Sequence, residues 1–324
     1  MNKVSILGTG SYVPENIISN DDLSKIVDTS DEWITTRTGI SQRHISGGEE
    51  TWQLGAAAAQ NAINNSGIKA EDIDLIICAT ITPENMMPST ACKIQAEIGA
   101  VNAAAFDISA ACSGYVFGII TGAQFIKTGL YKNVCIIGSE TLSKVIDWTD
   151  RSTCVLFGDG AGAMILGCGD EYEICESSMI SNGSKGDILT LKAFPFKNII
   201  TDKTSEYTDA YIHMDGQEVF KFAVKAMSAQ IKKVTIEAGL TFDDITYIIP
   251  HQANIRIISF AAKTLGIQEE KFLVNLKDYG NTSSASIGIA LDELVRKKTL
   301  KKGDKLILAG FGGGMSAGAV LVRV

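Results

Sequence analysis

Short apolar runs rich in Ile, Val and Ala alternate along this chain with longer segments whose apolar positions recur at helical spacing. The runs "VSILGTG", "IDLIICAT", "AAAFDIS", "NVCIIGSE" and "GAGAMILG" predict buried strands. Between them, "SNDDLSKIV" opens on an N-cap serine, "STACKIQAEIG" is stopped by Gly99, and "CSGYVFGIITGAQFIKTG" ends at Gly129, which predicts three helices. Strands alternating with helices define an α/β fold.

The pattern repeats. "EDIDLIICAT" resembles "DDITYIIPHQ", and "KNVCIIGSE" resembles "GDKLILAGF"; Ile76 falls on Ile248 and Gly138 on Gly310, each 172 residues further on. "STACKIQAEIG" likewise resembles "IRIISFAAKTLG". The closing strands "AGAMILG" and "AGAVLVRV" match from Gly162 to Gly318, a shift of 156, so the first half carries 172 − 156 = 16 extra residues, roughly "TLSKVIDWTDRSTCVL". This predicts two similar halves, residues 1–170 and 171–324, forming one compact unit with a site at their junction.

Composition narrows the function. With 324 residues, 45% hydrophobic and 20% charged, the chain reads as an ordinary soluble protein, and its net charge of −8 argues against a nucleic-acid partner. No signal-peptide h-region opens the sequence, and the most apolar window, near residues 103–126, is interrupted by Asp107, glycines and Gln124, so no membrane span is expected. Seven cysteines without a CxxC point to a reducing, cytoplasmic setting rather than disulfides or zinc. The three histidines are far apart, and no metal is implied.

Cys112, in "AAAFDISAACSGYVFG", opens a predicted helix, where unsatisfied N–H groups and the helix dipole favour a thiolate, and its neighbours Ala111 and Ser113 leave room for a substrate. Cys78 and Cys135 lie inside apolar strands, and Cys92 has the spacing of a core-facing helical position. The bland alternative for Cys112 is one more small core side chain. The 172-residue shift carries Cys112 onto Ser284, just after Asn281 in "YGNTSS", and Ala79 onto His251, beyond the strand "ITYIIP". Cys112, His251 and Asn281 therefore all stand at carboxyl ends of strands, where α/β sheets place their ligands. Alone, His251 could be a buried structural histidine and Asn281 a turn or cap residue. "GTGSYV" lacks the third glycine of a dinucleotide fingerprint, and "FGDGAGAMILG" leads into a strand, so neither cradles a phosphate. Gly312–Gly314 in "AGFGGGMSAG" let backbone approach a substrate closely, as an oxyanion hole requires, unless they form only a tight turn.

Together, "GTGSYVPE", "DTSDEWITTRTGI", "AACSG", "FGDGAGA", "PHQANIRII", "GNTSSAS" and "FGGG" resemble the β-ketoacyl-acyl carrier protein synthase III family over essentially the whole chain. The resemblance implies the thiolase-like fold, a duplication in five αβαβα layers, and the initiating condensation of type II fatty acid synthesis. It makes Cys112 the acylated nucleophile, His251 and Asn281 donors to the malonyl thioester oxygen, Gly313 with Cys112 an oxyanion hole, and Phe311 an aromatic neighbour that favours decarboxylation. The substrates implied are a short acyl-CoA and malonyl-acyl carrier protein, with no resident cofactor.

It further places coenzyme A against Thr29, Trp33, Arg37, Arg151, Gly216, Ala253, Asn254 and Arg256, with Trp33 and Arg151 sandwiching the adenine. Lys221, Arg256 and Lys263 would meet the acidic carrier protein, in a patch weakened by Thr264 where a lysine is common. For the arginines, simple solvated charge is the alternative. Met87 would reach the acyl pocket of the partner in a homodimer; a flexible Met restricts primers less than a ring does, which opens the pocket to short branched acyl groups. The polar stretch around residues 191–213 receives no role. Competing readings are a related acyltransferase of secondary metabolism, a Cys–His–Asn hydrolase, and a catalytically dead binding protein.

Overall fold

The computed structural model describes residues 2–193, 197–198, 200–201, 203–205 and 210–324. The first half supplies strands β1 (Ser5–Tyr12), β2 (Leu75–Ala79), β3 (Ala104–Ile108), β4 (Val134–Glu140) and β5 (Gly160–Gly167). The second supplies β6 (Glu173–Ser181), β7 (Tyr247–Pro250), β8 (Lys305–Gly312) and β9 (Ser316–Arg323). The principal helices are α1 (Asp31–Thr38), α2 (Thr51–Ser66), α3 (Thr90–Glu97), α4 (Gly114–Lys127), α5 (Gly216–Glu237), α6 (Ile255–Leu265) and α7 (Ala285–Arg296).

The strands run in the order β7-β8-β9-β6-β1-β5-β4-β2-β3. Each half contributes a contiguous block, and the blocks meet only at β1 and β6, through the single pair Ser5↔Glu173. Within each block the outer pairs are parallel (β2 with β3 and β4, β7 with β8) and the inner ones antiparallel. The α2 helix covers the outer face of the first block and α5 that of the second, while α4 and α7 lie between the blocks and touch strands of both. These are the five αβαβα layers expected.

The three main apolar clusters follow the layers. One joins Leu54, Ala58, Ile76 and Ile94 on the first outer face; one joins Tyr115, Ile119, Ile136, Ile287 and Leu308 in the middle; the third joins Met227, Ile231, Ile248 and Leu321 on the second outer face. Gly8 and Gly10 in "GTGSYV" serve this packing: a Cβ on either would fall 2.5 Å from Ser66 N and 2.3 Å from Ala62 N of α2, respectively. Cys78 and Cys135 are buried as expected, but Cys92 is exposed, because α3 turns Ala91 and Ile94 inward instead. "SNDDLSKIV" yields only one helical turn, Asn20–Leu23, capped by Ser19. The side chain of Asn20 there turns inward to Ile40 O and to the fully buried Arg43.

Candidate active site

A cavity of about 1430 Å³ opens between the two halves, lined among others by Cys112, His251, Asn281, Ser283, Phe311 and Gly313. The cysteine sits in a short 3₁₀ turn, Ala111–Ser113, between β3 and α4. Its counterpart turn precedes α7. The residues just before Cys112 and Ser284, Ala111 and Ser283, both have left-handed backbone, at φ 46° and 49°. This is costly for a residue with a Cβ and marks turns held by their surroundings. Those surroundings include the glycine loop: a Cβ on Gly312 would lie 2.7 Å from Cys112 N and 3.1 Å from its Cβ. A Cβ on Gly313 would lie 3.3 Å from that of Ala111, so the strand end β8 is seated directly on the nucleophile turn.

The sequence predicts a helix-start cysteine with a lowered pKa. The structure reverses the direction. Burial pushes the Cys112 thiol up to about 12, the Ser283 hydroxyl opposes this, and a charge on Glu140 would add to it. Only 9% of the residue is exposed, and desolvation of a thiolate outweighs a 3₁₀ turn and one hydroxyl.

His251 follows β7, held by its backbone N–H to Ala309 O at 2.8 Å. Its Nδ1 lies 2.7 Å from Ser286 Oγ, and its ring meets the edge of Phe311 with centroids 5.0 Å apart. Ser286 Oγ also accepts from Gln252 N–H at 3.4 Å; a Ser286 hydroxyl that gives its own hydrogen to Nδ1 puts the imidazole proton on Nε2. Burial pushes the His251 pKa down to about 3, so the ring is neutral. Asn281 is fixed at both ends of its backbone, N–H to Leu156 O at 2.9 Å and C=O from Gly158 N–H at 3.1 Å. Its Oδ1 accepts from Ser283 N–H at 2.9 Å, which orients the side-chain amide and turns its N–H₂ away.

The mouth is lined by Trp33, Arg37, Gly216, Lys221, Ala253, Asn254 and Arg256. Thr29, Arg151, Lys263 and Met87 are not among the lining residues. The guanidinium of Arg37 lies 4.5 Å and that of Arg151 4.7 Å from the Trp33 ring centroid, so a slot for adenine between Trp33 and Arg151 is closed. Arg151 also donates to Asp28 O at 2.7 Å. Asn254 caps α6 and donates to Arg37 O at 3.1 Å, tying α6 to α1. Lys221 pairs with Glu218 at 2.7 Å, so part of the expected basic patch is internally neutralised. Met87 is 86% exposed and Met86 lines the cavity. The stretch 191–213 lies partly outside the described residues; of what is described, Leu189–Leu191 pairs with Ile212–Met214 and lines the cavity. Sequence reasoning gave no role to Ser283 and Ser286, although both stand in "GNTSSAS", nor to the buried Glu140 that ends "KNVCIIGSE".

A duplicated α/β fold with cysteine, histidine and asparagine converging between its halves defines a thiolase-fold condensing enzyme. The family described as 3-oxoacyl-[acyl-carrier-protein] synthase III matches residues 106–183, and its C-terminal family matches residues 236–324. The β-ketoacyl-[acyl-carrier-protein] synthase III of Clostridium kluyveri is 55% identical over all of both chains. That of Clostridium acetobutylicum is 54% identical over all of this chain and 99% of its own. The crystal structure of 3-oxoacyl-[acyl-carrier-protein] synthase III from Aquifex aeolicus superposes with a TM-score of 0.92 at 45% identity, covering 99% of this chain and 100% of that one. The chain belongs to the β-ketoacyl-[acyl-carrier-protein] synthase III family, the condensing enzymes that initiate fatty acid synthesis.

Proposed function

We propose that the protein is an acyltransferase in which Cys112 takes the acyl group of a short acyl-CoA and passes it to the carbanion formed from malonyl-acyl carrier protein. The observation that carries the donor roles is the anchoring of two side chains on one cavity wall: an Asn281 whose Oδ1 is engaged by Ser283 N–H, and a neutral His251 whose Nδ1 meets the Ser286 hydroxyl and which takes the Nε2–H tautomer in this scheme. Both are left with an N–H to give. Loss of CO2 from the malonyl group builds enolate charge on its thioester oxygen, and donors fixed in advance stabilise that charge without reorganisation. A histidine with a pKa of about 3 is a poor base, which favours donation over the proton abstraction a cysteine hydrolase needs.

In the first half-reaction the Cys112 sulfur bonds to the acyl carbon, the carbon–sulfur bond to CoA breaks, and the thiol proton ends on the CoA sulfur. The backbone N–H groups of Cys112 and Gly313 hold the oxyanion. In the second, the carbanion attacks the acyl-cysteine, giving a 3-oxoacyl product and restoring Cys112. Phe311, edge-on to His251, gives the site an apolar wall that favours release of neutral CO2. Both substrates bring their own thioester, so the scheme draws on no resident cofactor. Coenzyme A enters over Trp33, displacing Arg151 from the ring, with Thr29, Arg37, Gly216, Ala253, Asn254 and Arg256 along its path. Lys221, Arg256 and Lys263 face the carrier protein. A cytoplasmic homodimer, with the exposed Met87 covered by the partner, completes the reading; no helix among the described residues is long and apolar enough to cross a membrane.

Mass spectrometry after incubation with acyl-CoA alone tests it. One acyl group per chain, absent in Cys112→Ser, is expected, together with normal acylation but lost malonyl decarboxylation in His251→Ala and Asn281→Ala. Continuous CoA release without a second substrate would instead mark a hydrolase.

A further inference from the structure

Glu140, the last residue of β4, is fully buried, forms no ion pair among the described residues, and sits close enough to Cys112 for a charge on it to be felt there. Its Oε2 accepts from Thr82 Oγ1 at 2.8 Å, Ile81 N–H at 3.1 Å and Thr80 Oγ1 at 3.2 Å. Oε1 lies 3.0 Å from Ser284 Oγ, which itself lies 2.9 Å from the carbonyl of Ala79. A serine hydroxyl has one hydrogen, and a carbonyl can only accept. If that hydrogen goes to Ala79 O, the contact with Oε1 is a hydrogen bond only when the carboxyl carries the proton. An ionised Glu140 would leave the single Ser284 hydrogen divided between two acceptors, Oε1 and Ala79 O, whereas a protonated one lets each contact have its own hydrogen.

The surroundings fit the same count. Lys144, the cation nearest this network, gives its hydrogens to Thr82 O at 2.5 Å and Thr51 Oγ1 at 3.2 Å, and its ion-pair partner is Glu84 at 3.7 Å. The other titratable groups felt around Glu140 are Cys78 on β2 and Cys112, and a negative charge on Glu140 disfavours the thiolate of each. His251 and Asp107 share the cavity wall. The Ser283 hydroxyl lies buried between Cys112 and Glu140; it lowers the pKa of both yet is aligned in a full hydrogen bond with neither.

We propose that Glu140 rests as a neutral carboxylic acid and acts as a positioning residue, tying the end of β2 to the start of α7 on either side of Cys112 without placing a negative charge beside the nucleophile. Burial raises the Glu140 pKa even against its donors, in agreement with this geometry. The inference rests on Cys112 being the reacting thiol, which acyl-enzyme mass spectrometry tests separately.

The experiment compares the rate of iodoacetamide alkylation of Cys112 at pH 8 in wild type, Glu140→Gln and Glu140→Ala, beside infrared spectra of the unmodified protein at the same pH. The rate is expected to agree within about twofold between the Gln variant and wild type, since Gln replaces one neutral group with another. Glu140→Ala is expected to acylate about tenfold more slowly, and Gln to recover most of that loss. The wild-type spectrum is expected to show a carboxylic-acid C=O band that the Gln variant lacks. A rate raised about tenfold or more in Glu140→Gln at pH 8 would mean that a charge had been removed, and it overturns the proposal. So does a wild-type spectrum without such a band, whether or not the variants fold, and so does a band that persists in Glu140→Gln.

Discussion

Lowering the pH from 8 to 5 is expected to cost the folded protein about 2 kcal/mol through His251 alone. The ring is buried among Phe311 and Ser286, and its pKa falls from 6.5 to about 3. In the unfolded chain the same histidine titrates at its ordinary value, so between those two values the unfolded state binds the extra proton and the folded state does not. Stability therefore falls as pH falls through 6.5. At pH 5 the unfolded histidine is almost wholly charged and the folded one almost wholly neutral, which gives the 2 kcal/mol; by pH 3 the loss reaches about 4 kcal/mol. The assay is urea unfolding at fixed protein concentration, at pH 8 and pH 5, for wild type and His251→Asn. Other groups titrate in both proteins, so the difference between their two losses isolates the histidine. An equal loss in both would refute the reasoning, because it would mean that the folded ring takes up its proton as readily as the unfolded one. The same low pKa predicts that malonyl decarboxylation keeps its rate between pH 7 and 5 so far as His251 is concerned.

Three further perturbations probe the site. Gly312→Ala places a Cβ against the backbone of Cys112, and acylation is expected to fall at least about tenfold with a stability loss of about 1–3 kcal/mol, read by acyl-enzyme formation and thermal unfolding. Ser286→Ala frees His251 Nδ1, and malonyl decarboxylation is expected to drop about tenfold while acylation of Cys112 stays within about twofold, measured as separate half-reactions. Trp33→Ala removes the ring over which Arg37 and Arg151 converge, and a rise of about tenfold in KM for acyl-CoA with little change in kcat is expected from steady-state kinetics.

Much of this was legible in the sequence because duplication writes the same fold twice. The 172-residue shift pairs β2 with β7 and β4 with β8, and it also pairs the left-handed Ala111 and Ser283, a detail of backbone that no propensity reveals. Cys112 and His251 could be found because strand ends are visible as apolar runs followed by polar residues; Asn281, expected at a strand end, instead follows the helical turn Leu276–Tyr279 with only an isolated bridge to Phe157, and the repeat alone located it. The protonation of Cys112 could not. A helix start is local and readable, whereas the burial that outweighs it involves residues far along the chain, among them Gly312 of β8, seated on the Cys112 backbone. Ser286 and Glu140 were hidden for the same reason: a serine on a helix and a glutamate ending a strand acquire meaning only from what the other half brings against them. Cys92 shows the converse, since an eight-residue helix carries too few turns for spacing alone to say which face is inward.

The 16 residues that break the repeat also join two ends of the cavity. That segment runs from the end of β4, carries Arg151 onto Trp33 at the cavity mouth, and finishes at Leu156, whose carbonyl takes the N–H of Asn281. One continuous piece of chain thus touches both the ring at the entrance and the amide in the wall. Under the proposed scheme, a change within it will register in both steps, where a change in either turn alone registers in one.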